Sequence, residues 1–345
     1  MSDAPTVQFA ENTANVFFHL LTQCNLNCRH CYINPQQHGR RRLSLATIRN
    51  WLETLARQAP KANLVLLGGE PTLRPDLPQV VAVARSLGYA TITIDTNGYL
   101  FNDFLGRIAP ADVDTISFSL DGATAEINDA IRGHGSFDTC TAGIRMAKAK
   151  GFRISLIYTV SRMNCEDLTH MPALLTELKV DHFFIQVIGL RGKSAAGTGG
   201  ADQDLQVSRA EWETLVSPVA RRVAQAGIRV SYPKVYLAPE EPFACAGRVA
   251  DNYFVFPNGR VYRCPLCEDF PLHSLIFKDN CLEPTAPINE TDLFHLDIPE
   301  GCVMNKLIQP SNLNYHPDGT PVGKIACCLL KEELHPIGTL NSETS

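Results

Sequence analysis

The chain has 345 residues, 45% hydrophobic and 19% charged, and its 31 Lys and Arg against 36 Asp and Glu give a formal net charge of -5. This acidic balance excludes a protein held to nucleic acid by a basic surplus, and no apolar run approaches the ~18 residues of a membrane-spanning helix. Met1 to Asn15 is polar and lacks the charged-then-apolar layout of a secretion signal, so the expectation is a soluble cytoplasmic protein with no nucleic-acid or membrane partner.

Short β-branched runs recur along the first 190 residues: Val16–Leu21, Leu64–Leu67, Thr91–Ile94, Thr115–Leu120, Ile154–Val160 and His182–Ile188. Helical spacing fills the intervals at Ser44–Arg57, Leu77–Leu87, Asn102–Ile108, Phe137–Lys150 and Asp167–Leu178, with Ser44 as an N-cap and Gly88 and Gly151 as stops. Alternation of this kind predicts βαβ units and a parallel sheet whose strands read as nearly continuous apolar runs. Six units are visible, fewer than a closed eight-fold barrel needs. The small, Gly-rich stretch 192–203 reads as a linker. A helix over Ser208–Ala226 and a strand over Ile228–Tyr232 follow, and beyond Pro239 the chain is punctuated by Pro, Gly and Cys. The expected organisation is a polar segment 1–15, a barrel 16–205, a bridge 206–235 and a small Cys-rich unit 236–345.

Twelve cysteines are too few for a disulfide scaffold in a chain of this length. They cluster: Cys24, Cys28 and Cys31 follow the first strand, and Cys245, Cys264 and Cys267 open the tail, with Cys281, Cys302, Cys327 and Cys328 behind them. Cys140 and Cys165 stand alone and read as buried small apolar residues. Three thiolates spaced four and three apart can hold three corners of a [4Fe–4S] cube and leave the fourth iron open, the mark of a catalytic metal. A structural zinc knot completed by His30 or His38 is the alternative. Pro257-Asn258-Gly259 predicts a hairpin with a two-residue Asn-Gly turn, which brings Cys245 and Cys264 to one metal with Cys267 beside them. Cys302, Cys327, Cys328 and Cys281 are the candidates for a fourth ligand, and zinc satisfies the same spacing.

Cys24-x3-Cys28-x2-Cys31 followed by Tyr32, then Gly68-Gly69-Glu70-Pro71, Asp95-Thr96-Asn97-Gly98 and Ser117-Phe118-Ser119-Leu120-Asp121-Gly122 with Asn128-Asp129 and Arg132-Gly133, resembles the radical S-adenosylmethionine (SAM) enzymes over residues 15–190. Asn128 departs from the family's usual His. The resemblance implies a partial (β/α)6 TIM-type barrel, a [4Fe–4S] cluster on Cys24, Cys28 and Cys31, and SAM at the open iron. It implies that the Gly68–Gly69 turn and Glu70 hold the methionyl ammonium, with the missing Cβ atoms letting backbone approach the ligand. Ser119 and Arg132 are candidates for the ribose and carboxylate, Thr96 and Asn97 for a turn at the site, and Tyr32, Ile157 and Ile188 for the adenine seat. Cys245-x13-Gly259-x4-Cys264 resembles the opening of the SPASM/twitch extensions, implying a small α+β domain with at least one auxiliary iron–sulfur cluster on Cys245, Cys264, Cys267, Cys302 and Cys327. The full SPASM pattern is absent, since His273 stands where its next Cys belongs.

Enzymes of this kind split SAM with one electron, from a flavodoxin- or ferredoxin-type donor, to a 5′-deoxyadenosyl radical that takes hydrogen from substrate. The resemblance thus implies an oxidoreductase or maturase in cofactor or natural-product biosynthesis or in peptide or protein maturation, acting on a small molecule or peptide. The few residues before the first strand argue against a leader-gripping domain. A non-catalytic iron–sulfur or zinc protein in electron transfer is the competing class, against which the Gly68–Pro71 turn weighs.

Overall fold

The computed structural model describes residues 14–195, 205–286 and 288–336; most of the polar segment 1–15 and of the linker 192–203 lies outside them. Strands β1 (Asn15–His19), β2 (Asn63–Leu67), β3 (Thr91–Thr96), β4 (Thr115–Ser119), β5 (Ile154–Val160) and β6 (His182–Val187) fall where β-branched runs predict them. They pair in parallel, each with the next. Between them run α1 (Pro35–His38), α2 (Leu45–Gln58), α3 (Leu77–Ser86), α4 (Ala125–Arg132), α5 (Ser136–Ala149) and α6 (Met171–Glu177). Ser44 caps α2 by accepting from the Thr47 amide, and the helix buries Ile48, Trp51, Leu52 and Leu55, one stripe at helical spacing. The same logic starts α7 (Arg209–Gln225), where Ser208 and Glu211 cap each other's backbone.

Two expectations are corrected here. Asn102–Ile108 is no helix but a single 3-10 turn at Phe104–Gly106. Leu100, Asn102 and Asp103 all have left-handed φ, and Asn102 donates its side-chain amide to the Thr72 carbonyl, tying this crossover down as a loop. Nor are the strands apolar throughout. Along β3 buried and half-buried residues alternate: Ile92 and Ile94 are buried with Leu64, Leu66, Ile116 and Phe118 under the helices, whereas Thr93 and Asp95 face the other way with Ser119, Thr159 and Gln186. Period-two alternation is what a sheet with an open concave face requires.

The tail joins the same sheet instead of standing apart. β7 (Arg229–Pro233) adds a seventh parallel strand next to β6. After β8 (Tyr236–Leu237) and α8 (Ala246–Val249), β9 (Asn252–Val255) pairs in parallel with β1. β10 (Arg260–Tyr262), β11 (Leu275–Lys278) and β12 (Cys281–Pro284) continue that edge antiparallel. α9 (Glu290–Phe294), α10 (Val303–Ile308) and β13 (Lys324–Ile325) lead to β14 (Lys331–Leu334), which covers the opposite edge by pairing antiparallel with β7. The resulting sheet has 12 strands in the order β12-β11-β10-β9-β1-β2-β3-β4-β5-β6-β7-β14. The architecture is α/β, a partial barrel followed by a Cys-rich region.

The β9–β10 hairpin also differs from its expectation. Phe256 and Arg260 close a loop of three residues, with Gly259 at φ 92. Pro257 opens this loop and Gly259 supplies the left-handed residue that a three-residue turn needs.

At the amino ends of the strands a side-chain ladder crosses from tail to barrel. Asn15 donates to Asn252 at 3.2 Å, Asn63 donates to Asn15 at 3.2 Å, and Thr91 donates to Asn63 at 2.8 Å. Asn15 and Asn252 are buried, so each lost partner leaves a desolvated polar group. Replacing Asn15 by Ala is expected to destabilise the fold by about 1–3 kcal/mol, read as a lower midpoint in chemical denaturation; an unmoved midpoint would show that the ladder contributes nothing.

Candidate functional site

The loop that carries the first three cysteines leaves β1 at its carboxyl end and lies directly on the turn after β2. The amides of Gly69 and Glu70 donate to the carbonyls of Leu21 and Gln23 at 2.9 and 3.0 Å. A Cβ on Gly69 would stand 2.2 Å from the Gln23 carbonyl oxygen, and one on Gly68 would stand 2.5 Å from that of Leu21. The two glycines are therefore also required by the neighbouring backbone. Within the loop Cys24 is exposed, and Cys28 and Cys31 are half-buried. The Leu26 amide lies 3.4 Å and the Asn97 side-chain amide 3.7 Å from the Cys24 sulfur. Protein packed around the sulfurs desolvates them even where the residue's edge is exposed, which pushes the Cys24 thiol up to about 11 and raises that of Cys28, so these two thiols do not ionise readily by themselves.

Glu70 is fully buried. Its Oε1 accepts from the Thr72 amide at 3.0 Å, the Thr72 hydroxyl at 2.5 Å and the Thr96 hydroxyl at 2.9 Å, and its Oε2 from the Asn97 amide at 2.8 Å. Burial raises its ionisation range, while the bonds from Asn97, Thr72 and Thr96 oppose the rise. The carboxylate is thus a staple between the turns after β2 and β3. Asn97 uses both ends of its side chain: the oxygen accepts from the Tyr99 amide at 3.2 Å, an Asx turn, and the amide donates to Asn25 at 2.8 Å. Asp95, on the concave face of β3, is pushed up to about 7 by burial, against a hydrogen bond from Ser117.

The turn after β4 holds the other end of the loop. Asp121, fully buried, places Oδ2 2.6 Å from Arg132 Nε and 3.2 Å from His30 Nε2, and accepts from the Thr159 amide at 2.7 Å through Oδ1. Despite burial, Arg132, His30 and the Thr159 amide hold its carboxyl well below the usual range. Asn128, where the family pattern has His, accepts from the Asp121 amide at 2.9 Å and donates to Ser136 at 2.8 Å. Arg132, the candidate for a ligand carboxylate, is buried with its Nε paired to Asp121. His30 Nδ1 is buried and has no hydrogen-bond partner among the described residues.

Tyr32 points toward the tail. Its hydroxyl meets His19 Nε2 at 2.7 Å, and the Arg191 guanidinium lies 4.9 Å above its ring. Arg191 also reaches Glu268 at 3.1 Å. Ile157 is half-buried on the concave face of β5, and Ile188 is buried just after β6. Ser119 is half-buried at the end of β4.

The tail cysteines converge. Cys245, Cys264, Cys302, Cys327 and Cys328 line one apolar pocket with Phe243 and Phe294, and Cys267 is buried beside Cys264 and Cys302 in the adjoining core. Cys281 is exposed at the start of β12 and is not among them. Glu290, fully buried, accepts from the amides of Arg263 at 2.6 Å and Cys264 at 3.0 Å and from the Ser274 hydroxyl at 2.7 Å. It pins the Cys264 loop as Glu70 pins the turn beside Cys24. Nothing in the sequence marks Glu290, and the roles of Asp121, His30 and Asn25 are hidden within the motifs that contain them. Cys140 and Cys165 are buried. No three His, Cys, Asp or Glu side chains among the described residues meet as ligands of a single ion; one thiolate per iron of a polynuclear cluster is a different requirement.

Two substitutions probe this geometry. Gly69→Ala forces a methyl into the Gln23 backbone, a strain of about 1–3 kcal/mol, and is expected to lower iron incorporation at the first cysteine loop with the tail unaffected. Asp95→Asn removes a carboxyl that stays protonated in the fold to about 7 but ionises near 3.9 when unfolded. Wild-type stability therefore falls between roughly pH 4 and 7, and the variant is expected to gain up to about 4 kcal/mol at pH 8 and little at pH 4, read from denaturation midpoints at both pH values.

No helix among the described residues is long and apolar enough to cross a membrane. Residues 19–173 match the family profile described as the Radical SAM superfamily. The mycofactocin maturase MftC of Mycobacterium ulcerans is 30% identical over 286 residues, covering 77% of this chain and 70% of that protein. Pre-heme d1 synthase of Dinoroseobacter shibae is 31% identical over 205 residues, covering 59% of this chain and 50% of that protein. The chain thus spans half to two thirds of the length of several curated relatives. Among solved structures, Streptococcus suis SuiB bound to S-adenosylmethionine superposes with a TM-score of 0.62 at 15% identity, covering 86% of this chain and 74% of that one, a likeness of fold. Ordered motifs, the cysteine loop at the carboxyl ends of parallel strands and these matches agree: the chain belongs to the radical SAM superfamily, whose members use a [4Fe–4S] cluster and SAM.

Proposed function

We propose that this protein is a radical SAM oxidoreductase or maturase that cleaves SAM at a [4Fe–4S] cluster on Cys24, Cys28 and Cys31, with residues 16–205 as the cleaving barrel. The observation that carries the reading is the docking of the three-cysteine loop on the turns after β2, β3 and β4, with no fourth cysteine on the loop. The donor set fits an iron–sulfur cluster: desolvation raises the Cys24 and Cys28 thiols, which metal binding reverses, and amides of Leu26 and Asn97 already face the Cys24 sulfur. The buried, unpartnered His30 Nδ1 beside Cys31 also fits a site shaped around a group it must accommodate.

When bound, the cluster supplies the electron that splits the sulfonium of SAM into methionine and a 5′-deoxyadenosyl radical, which takes hydrogen from substrate. The chain's part is orientation and exclusion of competing reactions. With both Glu70 oxygens already bonded, the Gly68 and Gly69 carbonyls, which accept no hydrogen bond among the described residues, are the acceptors offered to the methionyl ammonium. Thr96 and Asn97 hold that turn through Glu70. Asp121 fixes Arg132, whose guanidinium stays charged next to Cys28, the place for the methionyl carboxylate. Ser119, on the concave face, offers a hydroxyl to the ribose. Ile157, Ile188 and the backbone at Tyr32 supply apolar contact for the adenine. Substrate lies against Asp95, Thr159 and Gln186, whose concave face the alternating strands leave polar.

For the tail, residues 236–345 joined to the barrel through 206–235, we assign one auxiliary iron–sulfur cluster with ligands drawn from Cys245, Cys264, Cys267, Cys302 and Cys327. Their convergence on one pocket with Cys328 supports a single shared cluster. The relatives named as a mycofactocin maturase and a pre-heme d1 synthase favour a peptide or a cofactor precursor as substrate; a flavodoxin- or ferredoxin-type protein is the electron donor of this reading.

Anaerobic reconstitution, reduction and addition of SAM should yield 5′-deoxyadenosine, and Cys28→Ala should abolish it. A loaded, reducible wild-type protein that makes none would defeat the enzymatic reading. The variant lacking Cys24, Cys28 and Cys31 should retain the iron and sulfide of one cubane; zinc in their place would refute the tail assignment.

A further inference from the structure

β14 closes the open edge of the barrel, and its register fixes which of its side chains turn inward. Glu333 pairs with Ser231 and Lys331 with Pro233 on β7, and Ser231 in turn pairs with Phe184 on β6. Lys331 therefore shares the concave face with Phe184, and its Nζ stands 3.3 Å from the centroid of that ring. Neighbouring acids are spoken for. Glu333 accepts from Arg229 at 2.5 Å and from Ser231 at 3.3 Å, and Glu332 is bonded to the Tyr232 hydroxyl. Among the described residues Lys331 has no carboxylate, carbonyl or hydroxyl partner.

An ammonium withdrawn from water is costly unless a negative group meets it, and a ring face compensates only in part. Burial pulls Lys331 down to about 7, and negative charge on Cys328 and Cys327 is what opposes that pull. Those two cysteines lie three and four positions earlier, linked to the strand by the Leu330 amide bonded to the Cys327 carbonyl at 2.9 Å. They line the pocket where the tail thiols gather. A cluster on those thiolates carries net negative charge, so the missing counter-charge arrives with it.

We propose that Lys331 is the electrostatic partner of the tail cluster, a positioning residue that faces the barrel interior and raises the cluster's reduction potential. This rests on the assignment of an iron–sulfur cluster to the tail. Removing one positive charge in a medium of intermediate dielectric makes reduction harder by about tenfold.

The test uses the full chain lacking Cys24, Cys28 and Cys31, so that the tail cluster alone is reconstituted and titrated with dithionite while followed by electron paramagnetic resonance. Lys331→Met, of similar length and apolar shape, should retain iron and sulfide and lower the reduction equilibrium about tenfold, equivalent to ~59 mV for a one-electron couple. Lys331→Arg, which keeps the charge, should stay near the parent. A Met variant that loses iron while the Arg variant keeps it supports the same assignment. Equal midpoints in all three proteins overturn the role of Lys331 and leave the cluster standing. Zinc instead of iron in the parent overturns both.

Discussion

The site depends on one contact: the backbone of Leu21, Thr22 and Gln23 lying on the Gly68–Gly69 turn with no room for a side chain. That contact sets where the cysteine loop begins, and the Asp121–His30–Arg132 group sets where it is anchored next. Between these posts the loop has little freedom, so the thiols of Cys24, Cys28 and Cys31 are presented from a rigid scaffold even though the loop itself has no regular structure. Catalytic geometry needs this kind of support, because orientation of reacting groups is worth far more than any single contact.

Buried carboxylates recur as the fastening. Glu70 binds backbone and hydroxyl donors on two turns, Asp121 gathers an arginine, a histidine and an amide, and Glu290 holds the amides next to Cys264. Each carboxylate carries charge into a dry region and is balanced there by several donors, the condition under which such groups are tolerated. Their placement at the start and end of the first cysteine loop and at the tail loop gives both thiol sets the same physical support.

The two sets are also joined to one another. β9 runs alongside β1, so the strand leading into the tail cysteines is hydrogen-bonded to the strand leading into the first loop. Tyr32, next to Cys31, sits under Arg191, which reaches Glu268, next to Cys267. Ile33, Phe256, Tyr262, Cys267 and Cys302 share one apolar cluster. Barrel and tail form a continuous packing unit around both thiol sets.

The linear sequence determined the parallel strands, the caps of α2 and α7, the cysteine spacing and the family motifs, because each depends on residues close together in the chain. It could not determine what Gly69 avoids, which oxygens of Glu70 are already bonded, or that Arg132 is paired with Asp121, because those partners lie tens of residues away. The crossover at Asn102–Ile108 has helical spacing, yet a single side-chain bond to the Thr72 carbonyl and left-handed backbone at its start made it a loop. The tail cysteines are separated by up to some eighty positions, and only the addition of β9 and β14 to opposite edges of one sheet brings them around a common pocket. Local pattern fixed the elements; contacts between distant residues decided which polar groups are occupied and which remain to meet a ligand.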